Sequence, residues 1–254
     1  MEKNINHKEH PNKDKLWNYR NGLLITLQNV IDDPHLIEQC SDSVKTDVIK
    51  KYPEFIYLIK NPSETVQLVA VEKDPKSIKY IKNPSEAAQL KAVEKDPKSI
   101  EYIKNPSETA LIAAVKKDPY IIRRVKNPSE AIQLAAVEEN PTSIMYIENP
   151  SESVQLAAIE IDPDVIGLIH NQYETVQLAA VKKDGLTIER IENPSEDIQL
   201  TAIRNNPNAI KFIKNPSETM QIIAIEKDPM TIRYIDNLSD KAIRLYKDKR
   251  WINL

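Results

Sequence analysis

An asparagine returns every 22 residues along this chain: Asn61, Asn83, Asn105, Asn127, Asn149, Asn171, Asn193, Asn215 and Asn237 stand in strict register, with no insertion or deletion between them. A fixed period constrains the fold more than length or composition, because it marks one supersecondary unit copied in tandem. A unit this short cannot bury a core alone and must stack on its neighbours. Eight complete copies run from residue 61 to 236. The stretch from 39 to 60 is a worn copy: Ser41, Asp42, Val44, Pro53, Ile56 and Ile59 stand one period before Ser63, Glu64, Val66, Pro75, Ile78 and Ile81.

The copy NPSETVQLVAVEKDPKSIKYIK, residues 61 to 82, carries two helix starts. Asn61 suits an N-cap, Pro62 the first helical position, and Glu64 a third position from which it reaches back as in a capping box. Asp74-Pro75 repeats the signal. Each proline would clash with the preceding turn of a continuous helix, so the pattern predicts one helix over 62 to 73 and a second over 75 to 82. At about 100° per residue, Val66, Leu68, Ala70 and Val71 share an apolar arc, with Thr65, Val69, Glu72 and Lys73 opposite. In the second helix Ile78 and Ile81 face one way and Lys76, Lys79 and Lys82 the other. Alanine recurs at 70, 92, 114, 136, 158, 180, 202 and 224, where a small buried side chain lets helices of successive units approach closely.

Composition agrees with an all-α chain. Three glycines against 17 prolines leave few hairpin turns for a β fold. A lone cysteine, Cys40, forms no internal disulfide, the N-terminus is too polar for a secretory signal, and no apolar run reaches membrane-spanning length. These features predict a cytoplasmic protein with no membrane partner. The expected organisation is a disordered tail (1–13), an N-terminal helical cap (14–38), tandem repeats (39–236) and a C-terminal helical cap (237–254). Segments 16 to 31 and Asp240 to Ile252 each read as an amphipathic helix, and they hold the only tryptophans, Trp17 and Trp251. The predicted fold is an α-solenoid of tandem two-helix repeats, right-handed by analogy with other α-solenoids.

Units such as NPSEAIQLAAV, residues 127 to 137, resemble the short helical repeats of phage and bacterial proteins in the style of DUF4116 repeats. The resemblance spans about residues 39 to 240. It implies a helical array, often from a mobile or viral genome, with protein binding as the usual role, and it brings no catalytic residue with it.

No chemistry-bearing motif stands out. The four histidines make no zinc-site spacing with Cys40, and neither a phosphate loop nor a nucleophile motif is present. The expectation is a non-enzyme without metal or cofactor. Glutamine at 67, 89, 133, 155, 177, 199 and 221 falls in the apolar arc, with Leu111 the exception. Buried amides need partners, so these read as a structural ladder bonded to backbone in a neighbouring unit's loop, with a ligand-reading row as the other possibility. Tyr80, Tyr102, Tyr146, Tyr234 and Phe212 share a register on the second helix, interrupted by Arg124, Leu168 and Arg190. They either cover the core edge or contact bases or a protein.

Charge is polarised. Residues 60 to 126 carry 14 Lys or Arg against 9 Asp or Glu, and 127 to 206 carry 4 against 14, in a chain of net charge −3. That gradient can orient a partner or drive self-association. The unit at 171 to 192 loses both prolines, which makes Tyr173, Gly185 and Leu186 a candidate bend or site. The leading expectation is a protein-binding array, which in a viral genome would sequester a host or defence protein. Its specificity would be set by exposed variable positions such as Lys91, Lys98, Glu101, Arg123, Met145 and Glu189, with Tyr173 and Arg190 as further candidates. The alternative is a nucleic-acid binder using the basic segment 73–126, through Lys116, Lys117, Arg123 and Arg124.

Overall fold

In the computed structural model, which describes residues 18–20, 23–25 and 27–252, each copy becomes an α-helix of ten residues followed by a 3₁₀ helix of six. The chain divides into two compact units, the first ending at Lys117 and the second beginning at Asp118. The first holds α1 (Leu27–Asp32), α2 (Asp42–Lys51), α3 (Glu64–Lys73), α4 (Glu86–Lys95) and α5 (Glu108–Lys117), with 3₁₀ helices Pro34–Gln39, Pro53–Leu58, Pro75–Tyr80 and Pro97–Tyr102. The second holds α6 (Glu130–Glu139), α7 (Glu152–Ile161), α8 (Glu174–Lys183), α9 (Glu196–Asn205), α10 (Glu218–Lys227) and α11 (Asp240–Ile252). Its 3₁₀ helices are Pro119–Arg124, Pro141–Tyr146, Pro163–Leu168, Gly185–Arg190, Pro207–Phe212 and Pro229–Tyr234. Within each unit every α-helix packs on the next α-helix and every 3₁₀ helix on the next 3₁₀ helix. Each unit is therefore an all-α solenoid segment with an α layer and a 3₁₀ layer.

The second helix of the repeat is 3₁₀ for a reason of length. Only six residues lie between the Asp74 cap and the turn into the next copy, and i→i+3 bonding pairs more backbone groups in so short a span. The Asp74 carboxylate accepts from the Lys76 N–H at 3.0 Å, and the Ile81 N–H closes on the Ile78 carbonyl at 3.1 Å. The same cap recurs from Asp96, Asp118, Asn140, Asp162, Asp184, Asn206 and Asp228.

The first helix starts later than the spacing predicts. Its N-cap is Ser63 in extended geometry, and Glu64 is the first helical residue, so no capping box forms. The asparagine acts in the turn instead. Asn127, Asn193 and Asn215 adopt φ near +50° (48, 51 and 53°), the left-handed conformation that asparagine tolerates best after glycine. In these three copies it turns the chain after the 3₁₀ helix, and the proline then sits between that turn and the cap.

Val66, Ala70, Val71 and Ile78 form the core of a copy, all at 1% exposure or less. Every alanine of the retained position, from Ala70 to Ala224, is fully buried. Leu68 and Val69, assigned to opposite sides by the helical projection, are both half-buried.

Of the helix predicted over 16 to 31, the described residues are helical only from Leu27. Asn18–Arg20 and Leu23–Ile25 pair antiparallel, Tyr19 opposite Leu24, and α1 follows. The helical spacing of the apolar residues obscured Asn21-Gly22, a strong two-residue hairpin signal, which lies between the strands in sequence. Trp17 and the predicted tail (1–13) lie outside the described residues. Trp251 stands in the last turn of α11, which packs on α10.

Candidate functional site

Within the units, three kinds of hydrogen bond join copies to their neighbours and so fix the surface the helices present. At the helix start, Gln67 donates through Nε2 to the Pro62 carbonyl at 2.9 Å and accepts through Oε1 from the Ser85 N–H at 2.8 Å. Gln89 repeats this with Pro84 and Ser107, and Gln221 with Pro216 and Ser239. Gln155 bonds Pro150, the Asn171 carbonyl and, at 3.4 Å, the Tyr173 N–H. Gln133 and Gln199 keep the proline bond, while Gln133 Oε1 is buried without a partner. Gln177 turns to the Gln172 side chain, because Gln172 replaces the proline.

At the helix end, lysine caps the carbonyl of the preceding copy: Lys117 that of Glu94 at 2.6 Å, Lys183 that of Glu160 and Lys227 that of Arg204, both at 2.7 Å. A cation at a helix C-terminus also complements the backbone dipole. The glutamate after the N-cap reaches forward instead of back. Glu130 accepts from Ser151 and Ser153, Glu152 from Thr175, and Glu174 from Ser195. The hydroxyls of Ser153 and Ser151 hold the Glu130 carboxyl below the usual carboxylate range.

On the α layer of the first unit this leaves an apolar groove of about 460 Å³, lined by Leu68, Ala87, Leu90, Val93 and Ala113 and edged by Lys91, Glu94 and Lys117. A second concavity of about 410 Å³ continues past Leu68 and Val69 to Lys50, Glu72 and Lys73. The rim is internally paired. Glu72 meets Lys95 at 2.6 Å and Lys91 at 2.9 Å, and Lys91 also meets Glu94 at 3.1 Å. Lys95 and Lys91 together pull the Glu72 pKa down. Half-buried Leu or Ile recurs at the Leu68 register in every complete copy, at 90, 112, 134, 156, 178, 200 and 222. The sequence signal was there, since these residues hold their register throughout, but helical projection alone does not separate half-buried from buried.

The candidate binding residues do not converge. Lys91 is on the groove rim, Lys117 caps a carbonyl, and Lys116 is exposed beside it on α5. Lys98 and Glu101 are exposed on Pro97–Tyr102, in the other layer. Arg123, Arg124, Met145, Tyr173, Glu189 and Arg190 belong to the second unit and are all exposed. Arg190 meets Asp164 at 3.3 Å, and its stem lies over Gly167. The basic segment 73–126 is thus divided between two layers and two units.

The proline-free copy is rebuilt internally. Gln172 donates to the Ile166 carbonyl at 2.8 Å, and the Gly185 N–H, which proline would lack, donates to the Asn205 side chain at 2.8 Å. A Cβ at Gly185 would stand 2.4 Å from the Ala202 carbonyl oxygen, so only glycine allows this approach. Leu186 is half-buried, and Tyr173 serves as the N-cap of α8.

Tyrosines mark the 3₁₀ layer. In the first unit Tyr57, Tyr80 and Tyr102 stand on three consecutive 3₁₀ helices at 58, 43 and 45% exposure. Lys79 Nζ lies 4.6 Å from the Tyr80 ring centroid, and the Tyr80 hydroxyl raises the lysine's pKa. In the second unit Lys211 over Phe212 and Arg233 over Tyr234 repeat the pairing at 4.4 and 4.7 Å.

Fold and surface together define an α-helical repeat array with a grooved α layer. Among the described residues no group of His, Cys, Asp or Glu is placed to hold a metal, and no helix is long and apolar enough to cross a membrane. The chain matches no protein-family model, no curated protein and no solved structure.

Proposed function

We propose that this chain is a non-enzymatic scaffold that binds another protein along the α layer of its first unit. The carrying observation is the groove over Leu68, Leu90 and Ala113 with its charged rim. Contiguous apolar surface framed by polar side chains is the usual anatomy of a protein contact. The rim charges already satisfy one another, so a partner gains most by filling the apolar floor, as an amphipathic helix does with side chains spaced at three and four residues. A host or defence protein is the partner class that the phage-like repeats suggest.

Affinity capture tests this with the full chain and with Leu68→Glu/Leu90→Glu, after nuclease treatment and at two salt concentrations, with circular dichroism as the folding control. A stoichiometric protein held by the wild type and lost by the folded variant supports the reading. Equal capture by both puts the contact elsewhere and overturns it.

A further inference from the structure

The lysines of the first unit are engaged to different degrees on its two layers. On the α layer the lysines around the groove are engaged, Lys91 and Lys95 with Glu72 and Lys117 with a carbonyl, while Lys45, Lys73 and Lys116 form no ion pair among the described residues. On the 3₁₀ layer, Lys60, Lys76, Lys79, Lys82, Lys98 and Lys104 are all exposed, and none forms an ion pair among the described residues. The acidic residues around them are Asp74 and Asp96, whose carboxylates each accept from a backbone N–H, Glu38, which accepts from the Lys60 N–H at 3.1 Å, Glu54 and Glu101 on the 3₁₀ helices, and Glu64, Glu86 and Glu108 at the starts of the α-helices that follow. Lys60, Lys82 and Lys104 stand one period apart, as do Lys76 and Lys98, so the cations recur in step with Tyr80 and Tyr102, while Tyr57 stands one position ahead of that register. The rings of Tyr57 and Tyr80 are 6.0 Å apart and tilted by 55°, Lys79 lies over one face of Tyr80, and both side chains remain about half exposed.

From this we infer a second binding site on the 3₁₀ layer of the first unit, a stepped row of Tyr57, Tyr80 and Tyr102 flanked by exposed lysines, whose ligand is single-stranded nucleic acid. Repeated cations alone would suit any polyanion. A ring at each step adds a surface on which any base can stack, and cationic tracks with periodic aromatics are how strands are bound without sequence readout. Duplex nucleic acid, whose bases are already stacked, offers this row only its phosphates. The site is separate from the groove of the α layer, so the two readings fail independently.

Fluorescence anisotropy with labelled oligo(dT) and oligo(U) tests the inference on the full chain. The expected result is binding that weakens roughly 50-fold between about 50 and 200 mM salt, the loss that accompanies about four phosphate contacts on a single strand. Lys79→Gln/Lys98→Gln lowers both affinity and salt slope. Tyr80→Ala/Tyr102→Ala weakens binding about tenfold or more at an unchanged slope. Leu68→Glu/Leu90→Glu leaves it as in the wild type. No binding at the lower salt concentration overturns the inference. So does binding that the tyrosine variant leaves intact, or that duplex or polyphosphate competes for as well as unlabelled single strand does, since any of these reduces the row to a general polyanion surface.

Discussion

A glutamine at the buried start of a helix is costly unless both ends of its amide are bonded, and here the amide serves as the joint between copies. Gln89 occupies one carbonyl of its own copy and one N–H of the next, so Gln89→Leu strands both groups. Chemical denaturation of this variant should show a loss of about 1–3 kcal/mol, the cost of unpaired buried polar groups. The retained position made a buried amide legible in the sequence, but its acceptors were not, because they depend on where the neighbouring turn places its backbone. Serine and threonine differ at one buried position of the 3₁₀ helix. Thr187 and Thr231 donate to the Asp184 and Asp228 carbonyls at 2.7 Å, whereas the Ser77, Ser99 and Ser143 hydroxyls are buried without partners. Ser99→Ala is therefore expected to be neutral or slightly stabilising in thermal melts. Among the exposed carboxylates, Glu72 carries a pH signature. Lys95 and Lys91 depress its folded pKa, so the stability it contributes is fully present above the unfolded value and is lost as pH falls through the lower folded one, at the acid side of the usual carboxylate range. An NMR titration should give a Glu72 midpoint lower than that of an ordinary glutamate, moving up in Lys91→Gln/Lys95→Gln.

At the scale of elements, the prolines and cap residues made two helices per copy legible, but their boundaries and types depended on facts outside the local pattern. The asparagine that resembles an N-cap lies instead in the bend two residues before the true cap, Ser63, with left-handed φ at Asn127, Asn193 and Asn215, and the glutamates after the cap, such as Glu130, Glu152 and Glu174, bond forward. The second element is 3₁₀ because the reversal into the next copy leaves it no room for a further turn. The hairpin before α1 was hidden because its apolar residues also fit a helical period. The copy at 171 to 192 was visible as a departure, though only its packing explains it: Gly185 lies against the Ala202 carbonyl and donates where every neighbouring copy has proline. Gly185→Ala must push α9 away from the 3₁₀ helix, and a loss of about 1–3 kcal/mol is expected in equilibrium unfolding. Gly185→Pro should lose more, since it also removes the donor to Asn205.

For the molecule as a whole, the period alone determined that short helices would be held by their neighbours, and within each unit the packing obeys that nearest-neighbour scheme. What the chain binds was less legible. The candidate residues chosen for variability scatter over two layers and two units, whereas the groove is floored in part by Leu68 and Leu90, whose register every copy keeps, and its edge is set by the way Lys91, Glu94 and Lys117 pair. The proposal that the α layer of the first unit is a protein-binding surface is tested most directly by hydrogen–deuterium exchange on the chain with and without its captured partner. The account predicts added protection over α3, α4 and α5, with the 3₁₀ helices of the same copies unchanged. Protection confined to Pro75–Tyr80 and Pro97–Tyr102, or to the second unit, would contradict it.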